Sequence, residues 1–170
     1  MSSSSKCSAL TLLFVPLDAV GHVNSCIGLA QIALKMHHRV VFAVPQTWKG
    51  QLTPYGFEEQ VYVDPEKGEG QPRLWTLFLK EYAHVLPFNS YDKLRQFGAP
   101  GWEPMINEIK RSNSQIGEII ARVKPDVIIS DGFITVPSII VAGIPWVNSV
   151  SCNQLYCSVD QKLPPGGSGE

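Results

Sequence analysis

Clustered charge is scarce in this chain. Its 170 residues hold 14 basic and 15 acidic side chains, a net charge of -1. Lys and Arg never run together beyond Lys110-Arg111. Nothing here offers bulk attraction to nucleic acid or to an anionic membrane. Cysteine is sparse as well: Cys7, Cys26, Cys152 and Cys157 form no C-x-x-C and are not spaced with histidine as zinc ligands. They read as free thiols of a reducing, cytoplasmic compartment, with Cys26 a small core residue on an apolar helix face. No apolar run can span a membrane. Leu10–Leu17 is too short and stops at Asp18, and "MSSSSKCS" lacks the layout of a signal peptide. Glycine is also missing where nucleotide folds need it. The loop after the first apolar run, "PLDAVGH", has one glycine and no G-x-G-x-x-G or P-loop pattern. No serine sits in a G-x-S-x-G elbow, no internal repeat is found, and no second ligand accompanies a possible metal-binding residue. The expectation is therefore no metal.

What remains is an ordinary globular composition, 44% hydrophobic and 17% charged. A chain this long buries roughly 70% of its unfolded surface, enough for one domain without staples. Leu10–Val15 is a continuous apolar run closed by Pro16, as in a strand buried on both faces. Residues His22–Met36 carry helical spacing. "RVVFAV" (39–44) is a second buried strand, "QTWKGQLTPYGF" a short helix or turn closed by Gly56, and "EEQVYV" (58–63) a third strand. After a polar loop at 64–71, helices are expected at 72–86, with Pro72 first, and at 103–123, with Ser112-Asn113-Ser114 as a possible break. "PDVIIS" (125–130) is a fourth strand, Thr135–Val141 a short helix stopped by Gly143, and "IPWVNSV" (144–150) a fifth strand. Such alternation implies right-handed crossovers. The fold class is α/β: a Rossmann-like open parallel sheet with helices on both faces, for which 3-2-1-4-5 is a common strand order. Residues 1–8 read as a disordered N-terminus, 9–160 as the domain, and 161–170 as a flexible tail.

Open parallel sheets bind ligands beyond the carboxyl ends of their strands, where the strand order reverses. In this order strands 1 and 4 are neighbours. His22 lies just beyond the first, and Asp131 just beyond the fourth. A carboxylate that accepts from one ring nitrogen fixes the tautomer and stabilises the imidazolium. The other nitrogen can then take a proton from a hydroxyl. Taken singly, His22 also suits a polar helix start, and Asp131 a cap for the helix after Phe133. His37, His38 and His84 read as structural, the first two near a negative helix end.

These residues resemble a known family. "FVPLDAVGHVNSCIGLAQIALKMHHRVVFAV", "GF" at 56–57 and "KPDVIISDGFITVPSIIVAGIPWVNSVSCN" are similar to the amino-terminal half of family 1 UDP-glycosyltransferases, which have the two-domain GT-B fold. The similarity runs over most of 9–153; the stretch 64–105 varies in the family with acceptor. It implies His22 as the base that deprotonates the acceptor and Asp131 as the residue that orients it. The implied reaction is an inverting displacement at the anomeric carbon of a UDP-sugar, with no metal required. Ser25 stands where the family often has proline, which touches helix entry and not chemistry. The family's carboxyl-terminal donor signature is absent, so the chain reads as a truncated, incomplete GT-B amino-terminal domain. The UDP-sugar is then a co-substrate held mainly by a missing domain, and no cofactor is expected. The partners implied are a small lipophilic hydroxylated acceptor and a donor-binding domain or chain. Trp75, Phe78, Tyr82, Phe88, Tyr91 and Phe97 suit the walls of an acceptor slot, or equally core positions. Gly21 and Phe133, beside the pair, join the candidate acceptor contacts. The alternative is a non-catalytic α/β module that binds a small molecule or a partner.

Overall fold

The computed structural model describes residues 8–65 and 73–152. The expectations for residues 1–7, for Pro72 and most of the 64–71 loop, and for everything after 152 lie outside that range. Five strands, β1 (Thr11–Pro16), β2 (Arg39–Pro45), β3 (Glu58–Tyr62), β4 (Val127–Asp131) and β5 (Trp146–Asn148), form one parallel sheet. Their order is β3-β2-β1-β4-β5, the common order of such sheets on which the placing of strands 1 and 4 side by side rests. The helices are α1 (Val20–Lys35), α2 (Leu74–Tyr82), α3 (Ser90–Lys93), α4 (Ala99–Val123) and α5 (Pro137–Val141).

The continuous apolar runs follow from burial on both faces. Phe14, Val40, Phe42, Val44 and Ile129 point to one side and meet Val23, Cys26, Ala30 and Ala33 of α1. Leu13, Val15, Val41, Ala43 and Ile128 point to the other and meet Ile116, Ile119, Ile120 and Val123 of α4 and Ile139 of α5. Successive strand residues thus alternate between two cores. Each fully buried side chain of this size contributes roughly 1.5–3 kcal/mol relative to exposure.

The structure departs from expectation at several element ends. Helix α1 begins at Val20, two residues before His22, and its N-cap, Ala19, makes no side-chain cap. The helix expected at 72–86 ends at Tyr82 and tightens into a 3₁₀ turn at Ala83–Val85. The helix expected from 103 starts at Ala99 and is continuous with α3 through a π turn, Leu94–Gly98. Pro100 cannot donate to the Gln96 carbonyl and crowds it. The wider turn, with the Ala99 N–H bonding Leu94 O, accommodates that proline. No break occurs at Ser112–Ser114, because the side chains of Ser112 and Asn113 are occupied. Ser112 donates to the Glu108 carbonyl at 2.9 Å, and Asn113 Oδ1 accepts the Ser138 N–H at 2.9 Å. Helix α5 is thereby pinned to α4, close enough that a Cβ on Gly117 would lie 3.2 Å from Ser138 Oγ. The last strand is shorter than 144–150, and all three of its residues are exposed.

Candidate active site

Parallel pairing sets the site. Pro16, at the end of β1, is in register with Asp131, the last residue of β4. The Leu17 N–H then bonds the Asp131 main-chain oxygen at 2.8 Å, tying the β1–α1 loop to the end of β4. Three residues into α1, His22 faces that rim. Its Nδ1 lies 2.9 Å from Asp131 Oδ1, although 109 residues separate them in sequence. The carboxylate is 1% exposed and the imidazole 12%. A buried carboxylate needs hydrogen-bond partners, and Asp131 has three. Besides His22, Ser151 Oγ donates to Oδ1 at 2.9 Å, and the Cys26 thiol donates weakly to Oδ2 at 3.9 Å. With the proton assigned to Nδ1, that N–H lies between Asp131 Oδ1 and Ser151 Oγ, the latter 3.1 Å away. His22 Nε2 has no hydrogen bond from the described residues and is an acceptor in this tautomer.

Burial, then the charge of Asp131, pushes the Cys26 thiol up to about 12. It is a protonated donor here, buried as the sequence implies. Phe133 stands edge-on to the His22 ring, centroids 5.5 Å apart, and Trp102 stands edge-on to Phe133 at 6.1 Å. Gly21 is exposed beside His22, and a Cβ there would meet nothing within 4 Å.

Of the residues singled out in the sequence, the structure brings together His22, Asp131, Gly21 and Phe133. The ring contacts of the others lie elsewhere. Trp75, Phe78, Tyr82 and Phe97 pack on one another, with Phe78 stacked on Tyr82 at 4.5 Å and edge-on to Trp75 and Phe97. Gly101 of α4 comes so close that a Cβ would sit 3.3 Å from Phe78. These rings build a satellite core between α2 and α4. Phe88 is exposed and, among the described residues, its ring meets that of His84. Tyr91 is exposed too.

Sequence reasoning missed four residues at this rim. Ser151 lies beyond the end of β5, beside β4, so the strand order itself was the available signal. Trp102 is hidden in a Gly/Pro-rich segment. Asp18 reads in sequence only as the end of an apolar run, yet it is 2% exposed and accepts from Trp48 Nε1 at 2.7 Å. Glu108, on α4, is 7% exposed. Both carboxylates line a pocket that also touches Tyr62, Asp131 and Gly132, with about 40 Å³ open to water-sized groups. The Tyr62 hydroxyl is held well above its usual range, first by burial and then by Glu108, Asp18 and Asp64. Among the described residues, no group of three or more His, Cys, Asp or Glu is placed to hold a metal ion. No helix among them is long and apolar enough to cross a membrane.

No protein-family model and no curated protein sequence matches the chain. Its structure does resemble solved ones. The kitacinnamycin glycotransferase aligns over 84% of this chain and 30% of its own, at 17% identity and a TM-score of 0.51. A Streptomyces sp. SF2575 glycosyltransferase, SsfS6, complexed with thymidine diphosphate, aligns over 82% and 38%, at 17% identity and 0.51. Arabidopsis thaliana UGT89C1, complexed with UDP-L-rhamnose, aligns over 74% and 31%, at 16% identity and 0.50. The chain thus spans about a third of the length of the structures it matches. At this identity the likeness speaks to architecture: residues 8–152 have the Rossmann-like fold found within GT-B glycosyltransferases.

Proposed function

We propose that this chain is the acceptor-binding part of a UDP-glycosyltransferase, transferring a sugar to the hydroxyl of a small lipophilic molecule. The observation that carries the reading is the His22 Nδ1–Asp131 Oδ1 contact of 2.9 Å at the carboxyl rim of the sheet. Nδ1–H is engaged, so Nε2 is the acceptor for a hydroxyl proton. As that proton moves to Nε2, the hydroxyl oxygen forms a bond to the anomeric carbon. The bond from that carbon to UDP breaks, and its electron pair leaves on the diphosphate. Asp131 offsets the positive charge gained by the ring. It does so from a buried position, where the interaction is strong. Phe133 and Trp102 supply an apolar wall beside the imidazole, which suits a lipophilic acceptor.

The chain covers only about a third of its structural neighbours, which favours a division of labour: acceptor and base here, UDP-sugar on a further domain. The test uses the longest product of the gene, a labelled UDP-sugar and a panel of phenols and aliphatic alcohols. His22→Ala should lose about 10²–10⁴-fold in transfer rate, the usual worth of a general base. Equal rates for the two proteins would refute the assignment. Calorimetry on the 170-residue chain alone should show no saturable UDP binding. Micromolar affinity would contradict the division of labour.

A further inference from the structure

The rim beside the dyad holds a hydroxyl that proton transfer does not consume. Ser151 follows β5, whose Trp146, Val147 and Asn148 are in register with Ile128, Ile129 and Ser130 of β4. One more bond continues that pairing past the strand: the Ser149 N–H donates to the Ser130 main-chain oxygen at 2.7 Å. The chain leaving β5 is therefore fixed against the residue that precedes Asp131. Two residues later, Ser151 Oγ donates to Asp131 Oδ1 at 2.9 Å and lies 3.1 Å from His22 Nδ1. Helix α1, the end of β4 and the segment after β5 thus converge on a single oxygen.

The two oxygens of that carboxylate are held unequally. Oδ1 takes the His22 and Ser151 bonds, while Oδ2 has the Cys26 thiol at 3.9 Å, a weak donor. Parallel pairing fixes the backbone of Asp131. It does not fix rotation about the last bond of the side chain, which is a soft torsion. A turn there would carry Oδ1 off the Nδ1–H axis, and the thiol is too weak to resist it. The hydroxyl can resist it, because a hydrogen bond to an ionised oxygen is about twice as strong as a neutral one. Its proton goes to the charged oxygen, so the side of Oγ left to face Nδ1 is a lone pair. Both of these neighbours of Nδ1 are then acceptors, which keeps the ring proton on Nδ1 and leaves Nε2 bare. Ser151 is exposed and Asp131 is 1% exposed. The hydroxyl thus stands on the solvent side of the contact, where a water would be free to turn.

We propose that Ser151 is a positioning residue: it holds Asp131 Oδ1 against His22 Nδ1 and so keeps Nε2 as the accepting nitrogen. For the rate of transfer this rests on the function proposed above; the state of the ring itself does not. Ser151 contributes to turnover and not to acceptor binding, since it acts through Asp131 and the ring.

The test pairs two readouts on the wild type, on Ser151→Ala and on Ser151→Thr, which keeps the hydroxyl. On the 170-residue chain, nitrogen NMR of the His22 ring, titrated to its neutral form, reports which nitrogen carries the proton. The wild type and Ser151→Thr should show Nδ1–H alone, and Ser151→Ala a second tautomer. In the longest product of the gene, Ser151→Ala should lower kcat about tenfold, the scale of one hydrogen bond to a charged group, and leave KM for the acceptor unchanged. Ser151→Thr should restore the rate. Circular dichroism checks that each variant is folded; if Ser151→Ala is not, Ser151→Cys, a weaker donor, takes its place. A ring signature in Ser151→Ala identical to the wild type, a loss that appears in KM, or a loss that Ser151→Thr shares overturns the inference. Transfer that His22→Ala loses and Ser151→Ala keeps in full sinks this inference alone. A second tautomer in Ser151→Ala, with no transfer by the wild type, sinks the glycosyltransferase reading alone.

Discussion

Cys26 shows how much the rim depends on single atoms. Its thiol is buried against Asp131 Oδ2 and pushed up to about 12 from an ordinary 9.0, by burial first and then by that carboxylate. The thiolate is the reactive form, so Cys26 in the folded chain should resist iodoacetamide at about pH 8 and react once the chain is unfolded in urea. Peptide mass spectrometry reads this directly; labelling of the folded chain at the denatured rate would overturn the placement. The linkage has a definite sign. The folded state keeps a proton that the unfolded state releases above 9.0, so the thiol's contribution to stability is whole below that pH. It is lost as pH rises toward about 12. Cys26→Ala should therefore flatten the fall of stability across that alkaline window, measured by urea melts at a series of pH values. Asp131 gains most from this arrangement. Its two oxygens are divided between His22 and Ser151 on one side and the thiol on the other.

Helix ends carry the next prediction. Lys124 ends α4 at φ 49°, in the left-handed region, with its N–H bonded to Ile120 O at 2.9 Å. A side chain there is strained where glycine is not, so Lys124→Gly should stabilise the chain by about 1 kcal/mol. A rise in the thermal midpoint tests it, and a fall would show that Lys124 makes an offsetting contact. His37 ends α1 in the same conformation, at φ 64°. Such ends illustrate what the sequence can convey. The strands were legible because burial on both faces writes unbroken apolar runs, and their parallel pairing followed from the alternation with helices, while their order rested on what is common for such sheets. The start of α1 was not, because Ala19 carries no capping group to mark it. The start of α4 was masked by Pro100 and Pro104, which the preceding π turn accommodates. At the site, His22 and Asp131 were legible because strand ends converge by topology. Asp18 and Glu108 were not, because each sits in a segment dominated by its apolar residues, and neither burial nor partners can be read from one residue. Trp75, Phe78 and Tyr82 have the spacing of one helix face, which served equally for a slot or a core. The structure packs them on one another.

At the scale of the whole molecule, the β5 side of the sheet stands apart. Ile140 and Val141 of α5 and Trp146 and Val147 of β5 are exposed together, Val141 at 82%. An apolar patch beside a strand edge that no described residue pairs with promotes association. The isolated chain should therefore show concentration-dependent self-association by light scattering and bind a hydrophobic dye, and Val147→Lys should suppress both. A monomer at every concentration, with no dye binding, would contradict this. The opposite flank of β4 teaches something different. Ile128 and Ile129 serve two separate cores, so the strand is greasy on either side. One extra residue inserted ahead of Asp131 would exchange one isoleucine-lined side for the other and still be buried comfortably. The carboxylate, however, would be carried about 3.3 Å along the strand, beyond the reach of the imidazole. A lineage of such proteins can thus fall chemically silent while its architecture persists, and outline alone is a poor witness to whether a descendant still works.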